Sequence, residues 1–400
     1  MKSLPVVSFR QWISTVALLM WGLSLHNSAN FSSGTDDLNS LKKSLQQKLD
    51  SVVEDQKFPG ATLAVAYGPG KRIEFASGFS DKEKKERMKP DDRMFCGSTG
   101  KTLVSAVALK LLSKKKIGLD DLVSKFFQTQ SEKEWFSKLP NSQTMTVRSL
   151  MNHTSGLPRY LFQKNYLEDL KTNPYRKREP VEALMSIGGS KATNEVGKGW
   201  SYSDTNYIVL GLIIEKVSGK KFYDVVNTEI LTPLKLSDTI PAQGPMIKRL
   251  IPGYIGSNNF FGLPTKTVVD GKYGMDPSFE WCGGGFVTTS GDLASWLFEL
   301  HAGTVLPPKT HQLLVSPVDF RTGQAADAGY GLGSFVWQSK NGLYYGHAGI
   351  MPGYLTQIEY SQKHKFAIAF QTNTDEGLGR NHHLDHPAPT RPAARASSGS

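Results

Sequence analysis

Cysteine is nearly missing from this chain: Cys96 and Cys282 are the two such residues in 400. Two thiols do not make a disulfide framework, and no zinc-finger spacing accompanies them. They read either as small buried hydrophobes or as one disulfide, Cys96–Cys282. Hydrophobic residues make up 39% and charged residues 21% of the chain. That balance excludes both a disordered protein and a multi-span membrane protein. No internal repeat is present. Nor is there a concentrated basic surface, despite a net charge of +11. The basic runs (Lys82, Lys84 and Lys85; Lys114 to Lys116; Arg176 to Arg178) are scattered beside turn-like sequence. No aromatic RNA-binding signature joins them, so nucleic acid is not an expected partner.

What is present begins with a targeting signal. Lys2 and Arg10 precede an apolar run from Trp12 to Leu25, too short to span a bilayer comfortably, and the polar stretch His26 to Gly34 follows. Residues 1–29 therefore read as an export signal, either removed or kept as a membrane anchor, and the location as periplasmic or extracellular. At the other end, residues 381–400 lack an apolar period and carry Pro387, Pro389 and Pro392, which predicts a disordered tail. His382, His383 and His386 in that tail read as solvated side chains, and no metal site is expected.

Between these ends the pattern changes twice. Leu38, Leu41, Leu45, Leu49 and Val52 recur at helical spacing, which predicts an amphipathic helix over 37–54. Ala61 to Tyr67 and Arg72 to Gly78 flank Gly68-Pro69-Gly70 as a hairpin. Ser98 opens a helical stretch through Leu112, and helices and loops then run to about Gly219, with Tyr207 to Val217 the clearest. Strand-like runs return at Gly331 to Gln338, Leu343 to Gly346, Leu355 to Ser361 and Phe366 to Thr372. The fold class is α+β: a mainly antiparallel sheet flanked by helices, built from 37–95 and 286–380, with 96–285 as an inserted helical subdomain and a cleft between them.

Three short motifs carry chemistry. In Ser98-Thr99-Gly100-Lys101, helical spacing puts a hydroxyl and an amine on one face. A serine needs a neighbouring base to become a nucleophile, and a lysine held in a cleft can have its pKa lowered enough to help. The helix N-terminus supplies N–H groups for a developing oxyanion. Alone, the spacing equally fits a capping serine with a solvated lysine. Two rival motifs fail on a required glycine: Phe95 stands where a P-loop needs one, and Cys96 where the α/β-hydrolase elbow does. Tyr202-Ser203-Asp204 follows Gly197-Lys198-Gly199-Trp200, so Tyr202 can face a cleft and act as base and then acid. His347-Ala348-Gly349 follows a strand-like run. There His347 can hold substrate or join the Tyr202 proton network, and the Ile350 N–H can complete an oxyanion hole with that of Ser98.

The order of these motifs resembles the class C β-lactamase and D-alanyl-D-alanine carboxypeptidase group of serine hydrolases, which also contains esterases. That group uses Ser-x-x-Lys, Tyr-x-Asn and Lys-or-His-x-Gly. Further stretches are similar: Thr146 to Leu150 leading into His153-Thr-Ser-Gly-Leu157, Tyr202 to Gly219, and Gly283 to Asp292. The likeness spans Leu38 to Thr374. It implies a β-lactamase/transpeptidase-like fold and an acyl-enzyme on Ser98 with Lys101 and Tyr202 handling the proton. It also implies an oxyanion hole from the Ser98 and Ile350 N–H groups, with His347, Asp204 and Gly349 lining the substrate or proton network. The implied substrate is a cell-wall D-alanyl peptide, an ester or a β-lactam, with no cofactor. Two departures refine this. Asp204 replaces the usual Asn, exchanging an amide donor for a carboxylate able to pair with Lys101. His347 replaces the Lys of true class C β-lactamases, favouring peptidase or esterase chemistry. The alternatives are an esterase without peptidase activity and a silent peptidoglycan-binding envelope protein.

Overall fold

The computed structural model describes residues 35–257 and 259–376. The expected export segment and the tail with its three histidines lie outside the described residues. Helix α1 (Thr35–Asp55) leads into strands β1 (Gly60–Gly68), β2 (Lys71–Asp81), β3 (Glu86–Arg87) and β4 (Met94–Phe95). A mainly helical stretch follows: α2 (Lys101–Ser113), α3 (Gln130–Phe136), α4 (Val147–Met151), α5 (Lys164–Thr172), α6 (Pro180–Ser186), α7 (Asp204–Ser218) and α8 (Phe222–Val226). Short strands β5 (Ile240–Pro241), β6 (Val268–Val269), β7 (Lys272–Tyr273) and β8 (Phe286–Thr288) come next, then helices α9 (Ser290–His301) and α10 (Pro308–Leu314). The chain closes with β9 (Gly329–Tyr330), β10 (Phe335–Ser339), β11 (Gly342–Met351), β12 (Tyr354–Ser361) and β13 (Phe366–Thr372).

Eight strands form one sheet in the order β3-β2-β1-β13-β12-β11-β10-β9, and every neighbouring pair is antiparallel. This is the mainly antiparallel sheet with helices that the sequence pattern predicts. The first and last long strands are neighbours, with Ala61 opposite Thr372 and Ala66 opposite Ala367. Side chains alternate between the two faces of a strand, and here the alternation sorts them by size. Leu63, Val65, Phe366, Ile368 and Phe370 point to one face and pack with Leu41, Leu45 and Leu49 of α1. Ala64, Ala66, Ala367 and Ala369 point to the other, where α9 brings Leu293, Trp296 and Leu297. Small residues on that face let a helix with bulky side chains lie close. Truncating a fully buried leucine such as Leu45 or Leu49 would cost about 2–5 kcal/mol.

Several local readings change. The strand expected to end at Gly346 runs on to Met351, because His347 pairs with Ile358, Gly349 with Thr356 and Met351 with Tyr354. Glycines weaken the strand signal without preventing pairing, so the His347-Ala348-Gly349 motif lies within a strand rather than after one. The strand expected over 331–338 starts only at Phe335 as β10, with β9 just before the expected run at Gly329–Tyr330. Helix α7 starts three residues before Tyr207, with Ser203 at its N-cap. Helix α9 is an addition, fixed at its start by the Thr289 side chain accepting from the Asp292 N–H at 3.2 Å. The Cys96–Cys282 disulfide is not formed: both cysteines are free and buried. Cys282 instead packs under α7, where a Cβ on Gly211 would come within 2.2 Å of its sulfur.

Candidate active site

Strand β4 pairs with β8, Phe95 opposite Val287, and carries the chain directly to Ser98. Gly97 has φ +51, a conformation costly for other residues, and Ser98 sits in a short 3-10 turn (Gly97–Gly100) just before α2. The turn presses onto β11. A Cβ at Gly97 would meet the Ile350 nitrogen at 2.6 Å, and one at Gly349 would meet the Cys96 carbonyl at 2.0 Å and the Ser98 nitrogen at 3.1 Å. Both glycines are therefore required by close approach of backbone to backbone. The result is that the Ile350 amide lies beside the residue preceding Ser98, while the Ile350 side chain is exposed.

Lys101 extends from the first turn of α2 into the interior and is fully buried. Its Nζ donates to Ser98 Oγ at 2.9 Å, to Asp204 Oδ1 at 2.7 Å and to the Gly283 carbonyl. An ammonium has three protons to donate, so every one is used. Burial by itself would lower the lysine pKa, but the charges of Asp204, Tyr202 and Glu280 with the Asp204 hydrogen bond together outweigh it and hold the amine above its ordinary range. Three acceptors around the nitrogen, one of them a carboxylate, favour the ammonium form of Lys101, where the motif alone suggests a neutral base. Asp204, the first residue of α7, uses its other oxygen on Arg159, which reaches it with Nε at 3.0 Å and Nη2 at 2.8 Å. Burial opposes its ionisation, yet Arg159 and Lys101 hold the carboxyl well below the usual range.

Tyr202 lies two residues before α7. Its ring packs on that of His153 at 4.3 Å between centroids, and Lys101 Nζ is 5.1 Å from its centre. The hydroxyl is buried, out of line for a well-formed hydrogen bond but close enough for Lys101 and Ser98 to act on it. Burial raises its pKa, while nearby Lys101 draws it partly back. His347 is buried too. Its Nδ1 donates to the Ala348 carbonyl at 2.6 Å, so Nε2 accepts from Tyr330 Oη at 2.9 Å. Burial, then the Lys101 charge, push its pKa down to about 3, and it is neutral. Its ring is 6.2 Å from that of Tyr202 and makes no hydrogen bond to it. The structure therefore joins Ser98, Lys101 and Asp204 by direct contacts and brings Tyr202, Gly349 and the Ile350 amide alongside. His347 stays behind the site, turned to Tyr330.

Three participants are absent from the motif reading: Arg159, the Gly283 carbonyl and Glu280. Arg159 comes two residues after the His153 to Leu157 stretch, but nothing local says that its guanidinium turns inward. Gly283 contributes only backbone, which no side-chain pattern reveals. Glu280 is a carboxylate inside an apolar, glycine-rich run, Phe279 to Phe286, and that oddity is itself a readable signal. It is buried, and burial with the neighbouring Asp204 pushes its pKa up to about 7. A separate cavity of about 1110 Å³, lined in part by Lys221, Tyr223, Lys235 and Trp281, includes neither Ser98, Lys101 nor Tyr202. No group of three or more His, Cys, Asp or Glu among the described residues is arranged to hold a metal ion.

Comparisons with known proteins agree with this geometry. A family model described as Beta-lactamase matches residues 45–387. The chain is similar to penicillin-binding protein 4* of Bacillus subtilis (strain 168), 25% identical over 354 residues, covering 84% of this chain and 72% of that protein. It is similar to the teichoic acid D-alanine hydrolase of Staphylococcus aureus, 25% identical over 338 residues, covering 84% and 76%. Among solved structures, a D-stereospecific amidohydrolase from Streptomyces sp. superimposes with a TM-score of 0.70 at 26% identity, over 83% of this chain and 94% of that one. The D-amino acid amidase of Ochrobactrum anthropi SV3 shares the fold, with a TM-score of 0.68 at 24% identity, over 84% and 91%.

Proposed function

The chain belongs to the beta-lactamase family, and from that premise we infer that it is a serine hydrolase acting through an acyl-enzyme on a D-alanyl substrate. The observation that carries the reading is the 2.9 Å contact between Lys101 Nζ and Ser98 Oγ, fixed by Asp204. An ammonium at that distance stabilises negative charge developing on the serine oxygen. The proton itself needs another acceptor. Tyr202, beside Lys101 and Ser98, takes it in the form that has first released its own phenol proton to solvent, a form the Lys101 charge favours, and then returns it to the leaving group. Ser98 Oγ forms the bond to the substrate carbonyl carbon, the leaving group departs with that proton, and water then releases the acid. The Ser98 and Ile350 N–H groups hold the oxyanion. His347 supports the wall through Tyr330 rather than touching substrate.

The substrate class draws on the names of the relatives, which hydrolyse D-alanine from teichoic acid or act on D-amino acid amides and D-stereospecific amides. Asp204 and His347, in place of Asn and Lys, favour peptides and esters over β-lactams. An exported location, anchored or free, rests on Lys2, Arg10 and the run Trp12 to Leu25. No helix of the described residues is long and apolar enough to cross a membrane. Intact-mass analysis after incubation with D-alanyl esters, D-alanyl-D-alanine peptides and penicillins tests the reading. An acyl adduct on the wild type and none on Ser98→Ala is expected; an adduct of equal yield on the alanine variant would refute it.

A further inference from the structure

Glu280 stands out among the buried groups that this chemistry does not use. It is 7% exposed, and what acts on its carboxyl besides burial is the charge of Asp204, Lys101 and Arg159. It lies against the machinery. A Cβ added at Gly283 would stand 3.0 Å from Glu280 Oε2 and 3.8 Å from Asp204 Cβ, and the Gly283 carbonyl is one of the three acceptors of Lys101. The charged groups facing it come from three other elements: Lys101 from α2, Asp204 from α7 and Arg159 from the segment before Tyr160. Tyr160 also approaches, its hydroxyl donating to the Phe279 carbonyl at 2.7 Å.

We propose that Glu280 is a positioning residue for acyl transfer, which sets the net charge of the Lys101–Asp204–Arg159 cluster and thereby the pH range in which Ser98 and Tyr202 can lose a proton. The inference rests on the serine-hydrolase reading above. With Glu280 protonated the cluster carries two cations and one anion, a net +1, which favours anions on Ser98 and Tyr202. With Glu280 ionised the net charge is zero and that help is withdrawn. Its neighbours do not change charge near neutrality. Burial raises the pKa values of Cys96, Tyr160, Tyr166, Tyr223 and Tyr273, and it lowers those of His153 and His347. Glu280, held up to about 7, is the group of this set that switches there.

The test is the pH dependence of Ser98 acylation in wild type and Glu280→Gln, since glutamine imitates the protonated acid. The variant should acylate at the wild-type rate near about pH 5.5 and roughly tenfold faster at about pH 8.5, the effect of one pKa unit in the attacking group. A ratio that stays flat across the range overturns the proposal. Carbon-13 titration of wild-type protein labelled at the glutamate carboxyl carbons gives a second reading that needs neither the variant nor activity. One glutamate resonance titrating near 7 is expected, and titration of every glutamate below about 5.5 overturns it. The absence of any acylation at Ser98 would refute the hydrolase reading instead, while the carbon titration still decides the charge of Glu280.

Discussion

Two lysines in this protein each face carboxylates, and they behave differently. Lys266 is partly exposed and bridges Asp81 at 2.7 Å and Glu83 at 3.2 Å; Glu83 also accepts from Tyr254 Oη at 2.6 Å. Every member has a partner, and Lys266 and its companions lower both carboxyl pKa values despite the cost of burial. Lys101 is fully buried and has one ion-paired acid, Asp204, with a second, Glu280, nearby. The Lys266 cluster, whose lysine reaches solvent although Asp81 is itself buried, has every charge paired. The buried one holds an anion beside an acid whose proton is exchanged near neutrality, which is how a site keeps a proton in reserve.

That contrast can be broken by mutation. The largest effect is expected for Lys101→Ala, which strips a buried carboxylate of one of its two cations and should destabilise the fold by about 3–5 kcal/mol. Denaturant melts at neutral pH would show it; an unchanged midpoint would mean that Asp204 is not dependent on Lys101. Acid melts of Asp204→Asn probe the same pair. A folded pKa below the ordinary 3.8 contributes stability above that value, lost as pH falls through the folded pKa. The variant should therefore flatten the wild-type loss of stability below about pH 4.

Next comes Glu280→Gln. A folded carboxyl near 7 against an ordinary 4.5 binds its proton more tightly than the unfolded chain does. Wild-type stability should then fall as pH rises from 4.5 through about 7, by roughly 3 kcal/mol at most. Glutamine should remove that decline and leave the variant the more stable form at about pH 8. Thermal melts at paired pH values would check this, and parallel curves for the two proteins would contradict it. The smallest effect is expected for Lys266→Ala, because Asp81 keeps the Lys84 N–H and Glu83 keeps the Tyr254 hydroxyl; the loss should be smaller than that of Lys101→Ala and weaker in high salt. A loss as large as that of Lys101→Ala would erase the distinction between the clusters.

Much of the fold is legible where residue size and period agree. The α1 leucines and the alternation in β1 and β13 announce a sheet with a helix on one face. Helix α9 is harder to read, because Ser290, Gly291 and Asp292 open it as if it were a loop, and only the Thr289 cap reveals the start. Strand β11 is obscured by Gly346 and Gly349, the first pressed on the Ile358 carbonyl of β12 and the second on the Ser98 turn. At the site, motif order identifies Ser98, Lys101 and Tyr202 as candidates and even suggests the Asp204–Lys101 pair. The charge state of Lys101 and the part played by Arg159 and Glu280 depend on which side chains turn inward from segments tens of residues apart. No local pattern encodes that.

The charge on Lys101 is the claim from which the mechanism and the Glu280 inference both proceed. Nitrogen-15 labelling of the lysine side chains, with Lys101→Arg to assign the resonance, reads it directly across about pH 6 to 10. The Lys101 amine is expected to stay protonated throughout. An amine that becomes neutral below about pH 9 would make Lys101 the base and contradict that claim.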